Sequence, residues 1–243
     1  MSKVFAVTSG KGGVGKSTVS VGLALSLCKM GKKVLLIDMD EGLRCLDLML
    51  GIDKTAIFDL SDILMGKEIA DAVYPVTQAE GLYLIPAPAK LGMIDAYAFT
   101  KFVGEVTPKY DIVIFDFPAG IDFSLYNCLP KDTLFLTVAA PDPVTVRDAA
   151  TVSSMLAEID CNSKLIINRF EYKLSRKQIF KNIDEIIDSA GLQLIGIIPK
   201  SESLALFSVK HNLKPNDNAT SAFSRISNRL MGGSVPLPKP RKI

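Results

Sequence analysis

A glycine-rich segment near the start of the chain limits the possible fold more than any other part of the sequence. It runs from Gly10 to Thr18 and reads Gly-Lys-Gly-Gly-Val-Gly-Lys-Ser-Thr, between the apolar run Val4 to Val7 and a helical pattern over Val19 to Met30. The segment fills the P-loop pattern, in which four residues separate a first Gly from Gly-Lys-Ser/Thr. Glycines let successive backbone N–H groups turn toward a phosphate, and the following helix adds the positive end of its dipole. The sequence therefore predicts a phosphate-binding loop between a strand and a helix.

The residue types in this loop predict individual contacts. We expect Lys16 to contact the β- and γ-phosphates of a nucleotide, and the hydroxyl of Ser17 to bind Mg²⁺. Lys11 is an additional cation that an ordinary P-loop does not require, so it is either a solvated loop lysine or the partner of a further anion. The predicted nucleotide-binding residues of the loop are Gly10, Gly12, Gly13, Val14, Gly15, Lys16, Ser17 and Thr18.

The string from Lys11 to Thr18 resembles the deviant Walker A motif of the MinD/ParA family of P-loop ATPases. The resemblance implies that the nucleotide is ATP or ADP. It also implies that Lys11 contacts the phosphates bound by a second copy of the chain, so that dimerisation assembles the active site. Slow ATP hydrolysis, accelerated by a protein partner, is a further expectation from the family.

Two carboxylates, Asp38 and Asp40, follow the second predicted strand, where doubly wound folds place their ligands. From the residues alone they are also typical turn formers or helix caps. The stretch from Asp38 to Gly51 resembles the pattern DxDxGLRNLDLxxG of the MinD branch of the family. The resemblance implies that Asp40 orients the attacking water and that Asp38 lies in the second shell of Mg²⁺. Phosphoryl transfer depends on positioning and charge stabilisation, so one carboxylate, Mg²⁺ and the two lysines Lys11 and Lys16 form a sufficient catalytic set.

The apolar strand Ile112 to Asp116 ends in a carboxylate and is a candidate Walker B segment, followed by Pro-Ala-Gly as in the MinD branch. The resemblance implies that Asp116 holds Mg²⁺ through water and that the backbone of Gly120 approaches the γ-phosphate. Phe117 and Asp122 depart from the family pattern, which has a small hydroxyl residue and Glu at these positions. We call the residues from Phe117 to Asp122 the second switch segment. We therefore expect differences in the packing of this segment and in its response to a partner.

Two later segments are assigned by resemblance to the base-binding end of the site. Asn168 and Arg169 at the end of a strand are similar to the family's base-contacting pair, in which an Asn amide offers both a donor and an acceptor to a purine. The segment Gly196 to Ser201 resembles the family's GVIPED loop, which implies that Pro199 and Ser201 border the adenine.

Short apolar runs alternate with helical segments along the 243 residues, which predicts one α/β domain with a mostly parallel, doubly wound sheet flanked by helices. We expect a P-loop ATPase domain over residues 1–231 and a flexible, Pro-rich basic tail over residues 232–243. The predicted strands are Val4 to Thr8, Lys33 to Asp38, Leu82 to Pro86, Ile112 to Asp116, Thr133 to Val138, Leu165 to Asn168 and Leu194 to Ile198. The predicted helices are Val19 to Met30, Thr145 to Glu158, Ser175 to Ala190 and Ala219 to Met231.

Composition argues against several classes of protein. The 28 Lys and Arg against 26 Asp and Glu give a formal charge of +2, so no global basic field calls for nucleic acid. The four cysteines form no CxxC pair, and no signal peptide precedes the first strand, so we expect a cytoplasmic protein without a metal cluster. No apolar run reaches the roughly 18 residues that span a bilayer.

The C-terminal tail departs from the MinD branch, which ends in an amphipathic helix that binds anionic membrane. Pro236, Pro238 and Pro240 alternate along the tail and prevent such a helix. The tail's three basic residues would contribute about 1 kcal/mol each on an anionic surface, which makes only a weak anchor. Peripheral contact with the inner face of the cell membrane is therefore expected only if another element supplies it.

Taken together, the resemblance predicts an ATP-dependent homodimer that positions the cell-division site and is activated by a protein partner. Arg147 and Asp148 resemble part of the family's dimer and partner surface, although a solvated helix start explains them equally well. One alternative is a partition ATPase that uses nonspecific DNA or another protein as its surface, for which Arg225 and Arg229 form a local basic pair. The other is a nucleotide-dependent scaffold without catalysis. We interpret His211 as a surface residue.

Overall fold

The computed structural model describes residues 2–120, 123–171, 180, 182–207, 214 and 217–238. The strands are β1 (Lys3–Thr8), β2 (Val34–Asp38), β3 (Tyr74–Pro75), β4 (Leu82–Ile85), β5 (Ile112–Asp116), β6 (Leu134–Ala139), β7 (Asn162–Phe170) and β8 (Leu194–Pro199). Within the described residues these eight strands form one sheet in the order β3-β4-β2-β5-β1-β6-β7-β8. Neighbouring strands are parallel except for β3 and β4, which are antiparallel. The strand that leads into the P-loop therefore lies inside the sheet.

The sheet is covered on both faces. Along β1, Phe5 and Val7 enter one core cluster while Val4 and Ala6 enter another. Side chains alternate between the two faces of a strand, so a strand buried on both faces is apolar along its whole length. This double burial is the physical reason why short continuous apolar runs predicted the strands.

Helices connect the strands and supply both layers. They are α1 (Lys16–Lys29), α2 (Leu46–Met49), α3 (Leu60–Leu64), α4 (Ala96–Val106), α5 (Phe123–Tyr126), α6 (Pro143–Glu158), α7 (Ile183–Ala190), α8 (Glu202–Ala205) and α9 (Asn218–Leu230), with 3₁₀ turns at Ile69–Ala72 and Thr107–Lys109. Helix α1 packs so closely on α9 that a Cβ added at Gly22 would overlap the ring of Phe223. Phe223 and Ile226 are each 1% exposed, so α9 buries its apolar face in the core.

The predicted doubly wound α/β fold is confirmed, and every predicted strand is present with small shifts at its ends. Helices α1, α6 and α9 also match the prediction. Of the helix predicted over Ser175 to Ala190, the part from Ile183 to Ala190 is confirmed, and its first turn is capped by the side chain of Asn182, which accepts a hydrogen bond from the Glu185 N–H. Phe180 and Asn182 themselves lie outside a helix. Residues 172–179 lie outside the described residues. Strand β3 and helix α4 were not predicted.

The segment after α9 is tied to the sheet by one arginine. Arg229 donates from Nε to the carbonyl of Val235 at 2.8 Å and from Nη1 to the carbonyl of Ile195 at 2.5 Å. Residues 233–238 form no helix, as their prolines predicted, while the basic residues of the tail lie outside the described residues. Among the helices that the structure describes, none is long and apolar enough to cross a membrane.

Candidate nucleotide-binding site

The glycine loop leaves the carboxyl end of β1 and leads directly into α1. Gly13 and Gly15 have φ angles of +79° and +93°, which side chains disfavour. The hydroxyl of Ser9 donates to the carbonyl of Lys11 at 2.8 Å and holds the turn. Because α1 begins at Lys16, the positive end of its dipole lies at the loop. The predicted strand–loop–helix unit is confirmed, and it has the form of an anion-binding site.

A cavity of about 460 Å³ opens at this loop. Lys16 is 9% exposed and lines the cavity, whereas Lys11 is exposed to solvent. The lining residues are Gly12, Gly13, Gly15, Lys16, Ser17, Thr18, Asp40, Leu43, Pro118, Ala119 and Arg169. The cavity thus brings together most of the predicted loop residues and the predicted catalytic carboxylate.

Two residues of the glycine loop, Gly10 and Val14, pack against the rest of the protein. Val14 is 2% exposed and packs in the core. A Cβ at Gly10 would lie 2.7 Å from Cβ of Asp148 on α6, so only glycine permits this close approach. The structure therefore gives Asp148 a packing role beside the P-loop, while its neighbour Arg147 is exposed.

Asp38 and Asp116 lie side by side at the ends of β2 and β5, where they are register partners. Asp38 is fully buried, and its carboxylate accepts hydrogen bonds from the N–H groups of Asp40, Cys45 and Leu46 at 3.0–3.1 Å. Burial and then the nearby charge of Asp116 raise the pKa of Asp38 to about 7, although the three N–H groups oppose the shift. Asp38 thus fixes the turn that carries Asp40.

The same turn contains a residue in an unfavourable backbone conformation. Arg44 has a φ of +36°, in the left-handed region that non-glycine residues avoid. Its guanidinium pairs with Asp47 at 2.6 Å and donates to the carbonyl of Ala56 at 3.1 Å. These contacts hold the conformation and so help to place the N–H groups that bind Asp38.

Asp116 has the chemistry expected of a residue that holds Mg²⁺. It is 1% exposed, and its Oδ1 accepts a hydrogen bond from the Ser20 hydroxyl at 2.7 Å. Its Oδ2 is buried and has no hydrogen-bond partner among the described residues. Burial raises the pKa of Asp116 to about 6, while the hydroxyls of Ser20 and Ser17 and the charge of Lys16 lower it. A buried carboxylate oxygen without a partner, next to the P-loop hydroxyl of Ser17, fits a hard divalent cation.

Asp40 is half-buried between the P-loop and the second switch segment. Burial raises the pKa of its carboxyl, and the ammonium of Lys16 lowers it. Asp40 lines the 460 Å³ cavity and also a second cavity of about 230 Å³ on the side of Phe117 and Leu91. Asp40 therefore lies near the ammonium of Lys16 and borders a cavity on each of two sides.

The segment after β5 is anchored by buried contacts. Gly120 donates its N–H to the carbonyl of Ser9 at 3.0 Å. The hydroxyl of Tyr126 is hydrogen-bonded to Thr8 at 2.8 Å and to the carbonyl of Gly120 at 3.4 Å. Phe117 is 2% exposed and packs edge-on against Tyr126, with ring centroids 4.7 Å apart. The departure at Phe117 therefore contributes to the core under this segment, while Asp122 lies outside the described residues.

A larger cavity of about 680 Å³ lies on the other side of the P-loop, at the ends of β7 and β8. Its lining residues are Thr18, Met49, Asn168, Arg169, Glu171, Pro199, Lys200, Ser201, Glu202, Leu204 and Ala205. It therefore brings together all four residues assigned by resemblance to the base-binding end, and its volume suits a nucleoside.

Two of these residues also have structural tasks. The side chain of Asn168 is 3% exposed, and its Nδ2 donates to the carbonyl of Val14 at 2.8 Å, which uses one of its amide hydrogens on the P-loop. The hydroxyl of Ser201 caps α8 and donates to Asp217 at 2.9 Å. Arg169 is exposed at a φ of +57° and lines both the 460 and the 680 Å³ cavities.

Sequence reasoning missed three residues that shape the site: Ser20, Tyr126 and Glu41. Ser20 lies on α1 four residues after Lys16, on the same helix face, so helical spacing was a usable signal for it. Tyr126 gave no local signal. Glu41 follows Asp40 at a position that the family pattern leaves open.

Proteins in which a P-loop leaves an inner strand of a parallel sheet and meets acidic ends of neighbouring strands are P-loop nucleoside triphosphatases, and the fold and site place this chain in that class. A model of the CobQ/CobB/MinD/ParA nucleotide-binding domain matches residues 5–213. The chain belongs to this family, as its motifs predicted.

Individual relatives place the chain more narrowly. The septum site-determining protein MinD of Thermotoga maritima is 34% identical over 246 residues, which cover 98% of this chain and 91% of that protein. A chain of the MinC:MinD cell division protein complex of Aquifex aeolicus matches with a TM-score of 0.88 at 33% identity, covering 98% of this chain and 99% of the other. MinD of Pyrococcus horikoshii, solved with Mg-ADP, matches with a TM-score of 0.81 at 25% identity, covering 95% and 96%. The chain is thus similar to MinD proteins over nearly its whole length.

Proposed function

We propose that the protein is a MinD-like ATPase that hydrolyses ATP with Mg²⁺ and uses a nucleotide-dependent dimerisation cycle to position the cell-division site. The observation that carries this proposal is the position of Asp40, which lines the P-loop cavity together with Lys16 and Ser17. In this proposal, the terminal phosphate of a nucleotide bound at the loop would lie on the Asp40 side of the cavity. Asp40 is then the carboxylate available to orient water for an in-line attack.

Each residue of the site has a defined task in this mechanism. Lys16 and the loop N–H groups bind the β- and γ-phosphates. Ser17 and Asp116 would hold Mg²⁺, which when bound would neutralise charge on the phosphates. Asp38 stays one shell further out and fixes the turn that presents Asp40. Gly120 brings the backbone of the second switch segment to the terminal phosphate.

Dimerisation completes the site in this proposal. Lys16 is buried in its own loop, whereas Lys11 is exposed to solvent. This exposure supports a role for Lys11 in contacting phosphates held by a second protomer. Sedimentation with ATP tests this role: Lys11→Ala should stay monomeric, and Asp40→Ala should accumulate as dimer because hydrolysis is blocked. Normal dimerisation of Lys11→Ala would refute the role of Lys11.

We place the adenine in the 680 Å³ cavity, bordered by Asn168, Arg169, Pro199 and Ser201. Asn168 keeps its amide oxygen and one amide hydrogen for the purine, because its other hydrogen binds the P-loop. Competition between ADP and GDP for the wild-type protein tests this placement. Equal affinity for the two would contradict selection of adenine by these residues.

An activating protein partner and peripheral contact with the inner face of the cell membrane, by an otherwise cytoplasmic protein, complete the proposed cycle. The Aquifex aeolicus relative is found in a complex with MinC, which supports a protein partner here. Co-sedimentation with anionic liposomes, with ATP and with ADP, tests the membrane contact. ATP-dependent pelleting supports it, and an intact dimer that does not pellet refutes it.

Two alternatives make different predictions. A partition ATPase would bind nonspecific DNA, yet Arg229 of the basic pair is committed to the carbonyls of Val235 and Ile195. An ATP-dependent DNA shift that weakens steeply with salt would nevertheless favour it. A scaffold without catalysis would keep its cellular function in Asp40→Ala, whereas the ATPase would lose it.

A further inference from the structure

Glu41 binds a distant loop with its carboxylate. Its two oxygens accept hydrogen bonds from the backbone N–H groups of Gly92 at 2.8 Å, Met93 at 2.8 Å and Ile94 at 2.9 Å. Hydrogen bonds from several successive N–H groups to a carboxylate are charge-assisted and well defined in geometry. We call this set of three hydrogen bonds the Glu41 clamp.

The clamp joins the loops that follow two neighbouring strands. Glu41 lies after β2, residues 92–94 lie after β4, and β2 and β4 are parallel neighbours in the sheet. A second backbone contact accompanies it, since the N–H of Gly42 donates to the carbonyl of Pro88 at 2.9 Å. The side chain of Leu91 closes over the turn, 3.4 Å from the position of a Cβ at Gly42.

The turn that carries Asp40 is therefore hydrogen-bonded both to Asp38 and to the loop after β4. The N–H of Asp40 donates to Asp38 at 3.0 Å, which ties it to β2. The next residue is bound by the clamp, which ties it to the loop after β4. Asp40 lines two cavities, the 460 Å³ cavity at the P-loop and the 230 Å³ cavity lined by Leu91, Ile94 and the segment after β5. The second cavity offers it a place away from the phosphates.

We propose that Glu41 is a positioning residue that keeps Asp40 directed toward the P-loop cavity during hydrolysis. With the clamp in place, residues 91–94 and the turn at Asp40 to Gly42 move as one unit. Without it, the turn keeps its bonds to Asp38 and from Gly42 to Pro88 but loses all three bonds to residues 92–94, and the carboxylate of Asp40 divides its time between the two cavities. A displacement of about 1 Å in a catalytic group is enough to lower a rate by up to about a hundredfold.

This inference rests on the proposed ATPase function, and its test separates the two. Steady-state hydrolysis of Mg-ATP is measured for wild type, Glu41→Ala and Glu41→Gln, together with ADP affinity. We expect kcat to fall about tenfold or more in Glu41→Ala, while KM and ADP affinity stay within about twofold. The kcat of Glu41→Gln should lie between those of wild type and Glu41→Ala. Its single side-chain oxygen can still accept hydrogen bonds from the N–H groups of residues 93 and 94, while its amide group opposes the N–H of Gly92. Glu80→Ala, an exposed glutamate elsewhere, and Lys90→Ala, an exposed residue of the same loop, should match wild type.

Hydrogen exchange at residues 92–94 provides a readout that does not depend on activity. These amides should be protected in wild type and lose protection in Glu41→Ala. Loss of protection with unchanged kcat would overturn the inference and leave the ATPase function standing. A wild-type protein that does not hydrolyse ATP would overturn both. A parallel fall in kcat, ADP affinity and melting temperature would mean that Glu41 only stabilises the fold, and would also overturn the inference.

Discussion

Replacement of Ser20 by Ala should destabilise the nucleotide-free protein more at pH 8 than at pH 5. Ser20 is fully buried on α1, and its hydroxyl donates to Asp116 at 2.7 Å. Because burial raises the pKa of Asp116 to about 6, this carboxyl is ionised at pH 8 and protonated at pH 5. A hydrogen bond to a charged group contributes about 1.5–3 kcal/mol, and one between neutral groups about 0.5–1.5 kcal/mol. We expect Ser20→Ala to lower the free energy of unfolding by about 2 kcal/mol at pH 8 and by about 1 kcal/mol at pH 5.

Urea unfolding without nucleotide, at both pH values, measures these losses from the shift of the midpoint. A loss of 2 kcal/mol also corresponds to a fall of roughly 4–8 °C in melting temperature for a chain of this size. The control is Ser26→Ala, because Ser26 is also buried on α1 but lines a cavity of about 150 Å³ next to α9. A loss that is the same at both pH values, or that is matched by Ser26→Ala, would refute the role assigned to Ser20.

Three further predictions concern metal binding, the second switch segment and the core. The rise in melting temperature caused by Mg²⁺ with ADP should grow from pH 5.5 to pH 8, because burial raises the pKa values of Asp38 and Asp116 to about 7 and about 6 and the ion displaces their protons. Tyr126→Phe removes a buried hydroxyl hydrogen bond worth about 1 kcal/mol and should lower kcat about fivefold in steady-state assays, with ADP affinity within about twofold. Gly22→Leu should lower the free energy of unfolding in urea by about 1–3 kcal/mol, because its side chain would meet the ring of Phe223.

Clear results would contradict each of these. For the metal, an increase in melting temperature that is independent of pH would show that the two carboxyls do not lose protons on binding. Without metal, the folded state keeps these protons to higher pH than the unfolded chain, so stability should fall as the pH rises from about 4 to about 7. An unchanged kcat in Tyr126→Phe, or an unchanged urea midpoint in Gly22→Leu, would contradict the other two predictions. Gly104→Leu, at an exposed and uncrowded helical position, is the control for the last.

The central part of the site was predictable because its residues terminate strands. Asp38 and Asp116 each end an apolar run, and the carboxyl ends of parallel strands meet at one edge of a sheet. Their register in the structure follows from that rule. The glycine loop was predictable because its spacing is narrow and its context, a strand followed by a helix, is specific.

Other parts depend on contacts between residues that are far apart in the chain. Tyr126 is 118 residues from its partner Thr8, and Glu41 is 51 residues from Gly92. Neither residue belongs to a local pattern, so only the folded chain shows their roles. Helix α4 was different, because Asp95 caps it and its buried residues Phe99, Phe102, Val103 and Val106 have helical spacing. The sequence therefore contains a signal for this helix, although the helix was not predicted.

The order of the strands places the two ends of the proposed nucleotide site on different strands. The P-loop strand β1 lies between β5 and β6, with Asp116 and Asp38 on the side of β5 and β2, and Asn168 and Pro199 on the side of β7 and β8. In the proposed site, the residues that border the adenine and the carboxylates that act on the phosphates therefore lie on opposite sides of the P-loop strand, and the amide of Asn168 links the two sides through Val14. In evolutionary terms, and on the proposed placement of the adenine, such a domain can vary its nucleotide preference at Pro199 and Ser201 separately from its rate, whereas changes at Asn168 or Arg169 affect both.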